Sequence, residues 1–302
     1  MSILMSNEII NAVTNELKSA TTSVQIITAY CKEKTFNYLN GCIMPSVEDK
    51  RLLVRFRLDD IIKGSTDFSV VECGLQSGWD VFVRFDLHAK TYIVDNKRGL
   101  VGSANATKSG LSIGKTGNME MATLVDIEPK DVEKIEKLYR DAIKVDSFLL
   151  EKMKKQLSGI DLEKKTVHSW DTSITTLFNP HIDTLFSYEL PEEIIFQDGD
   201  YISFLDENYQ GDKEKIKESF RWSNAYLWLL NTVKENGGSM YFGEISSRLH
   251  DAIVSDPKPY RRDVKQMLAN LLKMIEELEM EDFIIDRPNF SQRVSLNPGN
   301  TK

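Results

Sequence analysis

The 302-residue chain is 41% hydrophobic and 28% charged, with a formal net charge of −8, a balance that supports a sizeable core in about two domains and excludes wholesale disorder. No run of about 18 apolar residues occurs, and no cationic stretch precedes an apolar one at the N-terminus, so neither a membrane span nor a signal peptide is expected and the chain reads as soluble and cytoplasmic. Cys31, Cys42 and Cys73 are odd in number and lack CxxC spacing, which excludes a disulfide framework and a zinc-finger pattern.

In chain order, Ile9, Ile10, Val13 and Leu17 recur at helical spacing after Ser6 and Asn7, either of which can cap. Strand-like runs follow at Val24–Ala29, Leu52–Phe56, Val81–Phe85, Tyr92–Val94 and Ala122–Val125, with a helical stretch at Phe68–Gln76 ending near Gly78. This order predicts an α/β domain with a mixed sheet. Val132, Ile135, Leu138, Tyr139, Ala142 and Ile143 share one face of an amphipathic helix that closes it, with the boundary near residues 155–165. The expected division is a domain over 1–158, an acidic connecting segment over 159–220 and a terminal domain over 221–302. In the last, the patterns run helix (Ala225–Val233), strand (Met240–Phe242), short helix (Glu244–Leu249), long helix (Tyr260–Leu278) and a hairpin (Phe283–Ile285 and Arg293–Leu296). That is the order of a winged helix-turn-helix, with Arg261, Arg262, Lys265 and Lys273 on its long helix as candidate DNA contacts. Trp222, Tyr226 and Trp228 are read as its core.

The charge is unevenly spread. Residues 1–155 carry 22 Lys+Arg against 21 Asp+Glu, residues 161–220 carry 5 against 14, and residues 221–302 carry 11 against 11. Either flanking part can therefore present a basic face to phosphates. The acidic middle, with Glu189, Glu192, Glu193, Asp198, Asp200, Asp206 and Glu207, reads as a solvated connector or as an autoinhibitory occupant of a cationic cleft.

The chemistry is concentrated between Leu87 and Val125. There His88-x-Lys90 is followed by Asp95, by Gly102-Ser103-x-Asn105 and by Asn118-x-Glu120. His-x-Lys alone is commonplace; four further residue types at fixed offsets are not. On a strand, His88 and Lys90 face one pocket. The imidazole can attack phosphorus while the Lys90 ammonium and the Asn105 amide bind the non-bridging oxygens. Ser103 follows Gly102 at a strand end where a phosphate can approach, and Glu120 can hold the His88 ring in one tautomer. No carboxylate cluster at metal-ligand spacing accompanies them, so neither metal nor other cofactor is needed.

These residues resemble the HKD motif of the phospholipase D superfamily. The resemblance spans residues 5–155 and implies a phospholipase D-like domain, a mixed β-sheet flanked by helices, beside the winged-helix-like α+β domain. In that superfamily two motifs make one active site: one histidine becomes a phosphohistidine and the other protonates the leaving group. His168, His181 and His250 lack a lysine two residues later, so this chain resembles the homodimeric branch, which includes bacterial nucleases and a metal-independent restriction endonuclease. Ile27–Tyr30 resembles the first strand of such domains. VRFRLDDIIKGSTDFSVVECGLQSG resembles a stretch of nuclease-like members, with Arg55, Arg57 and Asp60 as contacts near the site. Asp95 takes a structural, hydrogen-bonding role. The resemblance thus implies a homodimeric nuclease acting on DNA before RNA and not at a membrane. By analogy it suits restriction or anti-phage defence with an ATPase or helicase partner. The rival readings are a phospholipid phosphodiesterase or transferase, for which no membrane-facing segment is found, and a catalytically silent scaffold that binds DNA or regulates.

Overall fold

The computed structural model describes residues 3–114, 117–160, 170–175, 177–178, 180–192, 199–205, 207–209 and 211–297. The chain divides into two units, Met1–Phe178 and Asn179–Lys302.

The first unit is built on an eight-stranded mixed sheet in the order β1-β7-β6-β5-β2-β3-β4-β8. Its strands are β1 (Ile3–Met5), β2 (Ser23–Thr28), β3 (Asp49–Arg55), β4 (Asp80–Arg84), β5 (Lys90–Val94), β6 (Arg98–Gly102), β7 (Met121–Asp126) and β8 (Ile143–Lys144). β2, β3 and β4 run parallel and every other pairing is antiparallel. The helices are α1 (Asn7–Ser19), α2 (Glu33–Asn40), α3 (Leu58–Ile62), α4 (Ser69–Gln76), α5 (Pro129–Arg140), α6 (Ser147–Ser158) and α7 (Thr172–Thr175). α1 buries Ile9, Val13 and Leu17 and packs on β5 and β6, as the periodicity predicts. All six residues of β2 are buried, as befits the strand at the centre of the sheet.

α5 packs on the other face, where Ile27, Leu53, Leu87, Ile93 and Tyr139 form a core with Ile135 and Leu138 half-buried against it. The helix ends at Arg140, so the predicted apolar face is shorter than expected: Ala142 lies beyond it and Ile143 enters β8. The same sheet face is open over β1, β7 and β6. Register pairs Ile3 with Thr123, Met5 with Met121, and Val101 with Thr123, so these side chains stand on one surface. Ile3 (67%), Met121 (50%) and Val101 (43%) are exposed there, beside Met119 (79%).

The second unit holds a β9 (Tyr201–Ile202)–β10 (Glu207–Asn208) pair, α8 (Lys213–Arg221), α9 (Asn224–Glu235), β11 (Ser239–Tyr241), α10 (Phe242–Ala252), α11 (Arg261–Glu277), β12 (Phe283–Asp286) and β13 (Arg293–Leu296). From α9 onward the element order is the one the sequence predicts, and the three strands form a sheet in the order β11-β13-β12. Tyr226 and Trp228 lie in its core with Leu229, Ile245, Leu268, Leu272 and Val294. Trp222 is half-buried and donates its indole N–H to Glu218 at 2.9 Å.

The stretch 159–220 departs from the expected connector. Trp170, Ile174 and Phe178 are buried in the first unit, whereas Leu185, Leu190, Ile202, Ile216 and Phe220 join the core of the second. Burial of these apolar side chains, rather than the acidic composition, decides where the chain goes. Of the acidic residues, Glu193, Asp198 and Asp206 lie outside the described residues. Glu189 is engaged by the Phe186 N–H and the Asn224 amide, both at 2.6 Å.

Candidate active site

β2, β3 and β6 end, and β5 and β7 begin, at one edge of the sheet. The residues singled out by the sequence arrive there from five strands. Lys90 opens β5, Ser103 follows β6, Glu120 precedes β7, Tyr30 follows β2, and Arg55 closes β3. Gly102 is required for that assembly: a Cβ would meet the Met121 carbonyl and come within 2.5 Å of Ala122 Cβ. Its role is close approach of β6 to β7, a different reason from the phosphate access expected from sequence.

His88 is exposed, while Lys90 is buried and donates to the His88 carbonyl at 2.5 Å. Partial desolvation, followed by the charges of Lys90, Arg55 and Arg57, lowers the His88 pKa, so the ring is neutral at neutral pH. Burial and Arg55 also lower the Lys90 pKa, against the opposing pull of Glu120. Glu120 is buried and accepts from the Ser103 hydroxyl and, at 3.1 Å, from the Asn118 amide. Ser103 Oγ in turn accepts the Met121 N–H at 3.1 Å. Among the described residues no hydrogen bond joins Glu120 to His88. The carboxylate bonds to the Ser103–Asn118 pair and faces Lys90, and the expectation that it fixes the His88 tautomer within one chain is corrected accordingly.

Asn105 accepts the Tyr30 N–H on Oδ1 at 3.0 Å. Its NH2 has no protein acceptor among the described residues and is the end free to meet a substrate oxygen. Arg55, expected as a phosphate contact, is instead held inside the protein. Its guanidinium makes a two-point pair with Asp60 at 2.8 and 3.0 Å, donates to the Tyr30 hydroxyl at 2.5 Å and lies 4.7 Å over that ring. It acts on the site through its charge. Arg57 differs: Nε donates to the Phe85 carbonyl, no carboxylate pairs with it among the described residues, and the residue is exposed. Among the described residues its two NH2 groups meet no protein acceptor.

Asp95 stands about 16 Å from Lys90, at the far end of a five-residue strand. It accepts the N–H groups of Thr21, Thr22 and Ser23 and the hydroxyls of Thr21 and Thr22 at 2.7–3.1 Å. Burial raises its pKa, but these donors outweigh it and hold the carboxyl well below the usual range. Arg261, Arg262 and Lys265 are exposed on α11 in the second unit, with Arg262 3.5 Å from Asp263. Tyr30 enters the site by pairing with both Asn105 and Arg55; the sequence marked it only as part of a strand.

No group of three or more His, Cys, Asp or Glu side chains that could hold a metal ion occurs among the described residues. No helix among them is long and apolar enough to cross a membrane.

Residues 13–142 match the family model for the cardiolipin synthase, PLD-like domain. No curated protein matches the chain. Among solved structures it is similar to Nuc from Salmonella typhimurium, a phospholipase D family member (20% identity, 48% of this chain and 99% of that one, TM-score 0.38). It is also similar to NucT from Helicobacter pylori (14% identity, 48% and 98%, TM-score 0.36). A third is the phosphatidylserine synthase of Haemophilus influenzae Rd KW20 (14% identity, 52% and 45%, TM-score 0.36). With the mixed sheet and the His88–Glu120 set at one of its edges, the match over residues 13–142 identifies a PLD-like domain in the first unit and supports membership of the phospholipase D superfamily.

Proposed function

We propose that the chain is a metal-independent nuclease that cleaves phosphodiester bonds through His88 in a homodimer. The observation that carries this reading is the gathering, around an exposed His88, of cationic and amide donors: Lys90, which among the described residues meets only a backbone carbonyl, the two NH2 groups of Arg57 and the Asn105 NH2. Such a set suits a tetrahedral phosphate whose non-bridging oxygens gain charge as it reacts. The His88 ring nitrogen forms a P–N bond as the P–O bond to the leaving oxygen breaks. That oxygen takes a proton from His88 of the partner subunit, which enters the step as the imidazolium and leaves it neutral, and water, deprotonated by the same group, then cleaves the P–N bond. One histidine cannot be nucleophile and acid in the same step, which is why a second copy is required. The exposed Ile3, Val101 and Met121 beside Ser103 and Glu120 offer an apolar surface for it.

Nucleic acid is favoured over lipid because the site is rimmed by cations and because the second unit carries exposed Arg261, Arg262 and Lys265 on α11, the long helix of a winged-helix order. The test is cleavage of plasmid DNA and of single-stranded oligonucleotides in excess chelator, with acid-stable and acid-labile protein phosphate distinguished after quenching. Cleavage that persists in chelator and is abolished by His88→Ala, with acid-labile phosphate on the wild type, is the expected result. An absolute need for added magnesium sinks the mechanism; binding without cleavage points to the silent scaffold; turnover of phospholipid vesicles alone points to the lipid enzyme.

A further inference from the structure

Residues 170–175 and 177–178 belong to the first unit and form a strap against the residues that follow β3 and β4. The Asp171 N–H donates to Gln156 at 2.9 Å and Lys152 to the Ser173 carbonyl at 3.0 Å, which ties this strap to α6. Trp170 is buried with its indole stacked on Phe56, 6.0 Å between centroids and 12° between planes, and its N–H donates to the Phe56 carbonyl at 2.6 Å. Phe178, also buried, meets Phe85 edge-on at 5.3 Å, and the Arg84 guanidinium lies 5.0 Å over its ring. The two anchored residues are themselves joined, since the Phe56 N–H donates to the Arg84 carbonyl at 2.9 Å.

These contacts fall on the two segments that place Arg57. Phe56 is its chain neighbour, and the Phe85 carbonyl is the acceptor of its Nε–H. Without a carboxylate partner, a long guanidinium side chain keeps most of its rotamers unless both its backbone and its acceptor are fixed. We propose that Trp170 and Phe178 are positioning residues: together they clamp the turns after β3 and β4 and so hold Arg57 beside His88 as the phosphate-binding cation. The proposal rests on the phosphodiester reading for the role of Arg57, and on the strap contacts for its placement.

A purely structural role would lower stability and leave Arg57 where it is, so the test reads the position of its charge. In the full chain, the His88 titration midpoint is measured by imidazole NMR in wild type, Trp170→Phe, Phe178→Leu and Arg57→Gln. Arg57→Gln removes a charge that disfavours the imidazolium and should raise the midpoint. Each strap variant should raise it by part of that amount, and KM for an oligonucleotide should increase about fivefold with kcat nearly unchanged. Folded strap variants that melt earlier yet keep the wild-type midpoint overturn the proposal. Exchange of the Arg57 Nε–H in the unmodified protein provides a check that needs no variant: slowed exchange is expected, and exchange as fast as that of a free arginine overturns it. Neither measurement needs turnover, so a chain that cleaves no phosphodiester refutes the nuclease reading while the clamp is still decided.

Discussion

Asn105 does two jobs with the two ends of one amide, and substitutions can separate them. Its Oδ1 satisfies the Tyr30 N–H, and its NH2, with no protein acceptor among the described residues, is free to meet a phosphate. Asn105→Ala strands the Tyr30 donor and should cost about 1–3 kcal/mol of stability as well as activity. Asn105→Asp keeps an acceptor but turns an oxygen toward the phosphate; its melting temperature should stay near wild type while single-turnover cleavage falls about hundredfold or more. If the aspartate variant cleaves normally, the amide does not touch the reacting group. His88 carries the pH dependence. Its pKa is lowered by desolvation and by Lys90, Arg55 and Arg57, so the nucleophile loses activity on an acid limb as pH falls through that lowered value, while the partner subunit's His88, which must carry a proton to act as acid, adds an alkaline limb as pH rises. Lys90→Met removes one of those charges. It should move the acid limb of the pH–rate profile upward while lowering the plateau about hundredfold, and a limb that stays or moves down would contradict the electrostatic account. The HKD residues were legible in the sequence because their spacing is fixed by the strands that carry them. The engagement of Arg55 by Asp60 and Tyr30 was not, because it depends on a contact between β2, β3 and α3 that no local pattern encodes.

Among the elements, β2, β3, β4 and β7 announce themselves through β-branched and aromatic runs, whereas β6, Arg-Gly-Leu-Val-Gly, does not. Two glycines erase its alternation, and one of them is demanded by the approach of β7 rather than by any propensity of its own chain. β1 and β8 are too short, at three and two residues, to carry a period. The β5–β6 turn is legible only in hindsight: Asp95 and Asn96 both adopt positive φ, 54° and 50°, a conformation these two residue types tolerate. Asp95 then uses its carboxylate to accept the N–H groups that lead into β2, fastening the turn to the sheet. Its folded pKa is depressed, so its contribution to stability is present above the unfolded value near 3.9 and is lost as pH falls through the lower, folded one. Asp95→Asn keeps the backbone conformation and loses the charge. At pH 7 it should lower unfolding stability by about 1 kcal/mol, a gap that narrows steadily as pH drops below 3.9, with kcat unaffected because the turn is remote from Lys90. Chemical denaturation at pH 7 and pH 3 decides it; a constant gap would assign the effect to packing.

At the scale of the whole molecule, composition divides the chain by charge and the fold divides it by burial, and the two divisions do not coincide. The acidic stretch is shared between units because Trp170 and Phe178 are buried in the first and Leu185 and Phe220 in the second. If α11 contacts DNA, reversing Arg261, Arg262 and Lys265 to Glu should weaken binding and flatten its dependence on salt; unchanged affinity and slope would assign the second unit to protein contacts. Assembly gives the sharpest prediction. The sheet face toward α5 is covered over β2 and β3 but open over β1, β7 and β6, and Ile135 and Leu138 of α5 are themselves only partly covered. A second copy turned about a two-fold axis could cover both, because a two-fold contact uses the same patch on each chain. The patch adjoins Ser103 and Glu120, so such a contact also brings a second His88 toward the first. Ile3→Glu with Val101→Glu alters two exposed side chains that belong neither to the core nor to the catalytic set. The variant should remain folded by circular dichroism, sediment as a monomer at micromolar concentration, and lose cleavage in proportion to the dimer lost. If each active centre uses two histidines, wild-type and His88→Ala chains, mixed and re-equilibrated, should lose activity according to the fraction of mixed dimers. A folded monomer that cleaves at the wild-type rate would require the leaving-group acid to come from its own chain, where Lys90 is the proton-bearing group whose charge acts most on His88.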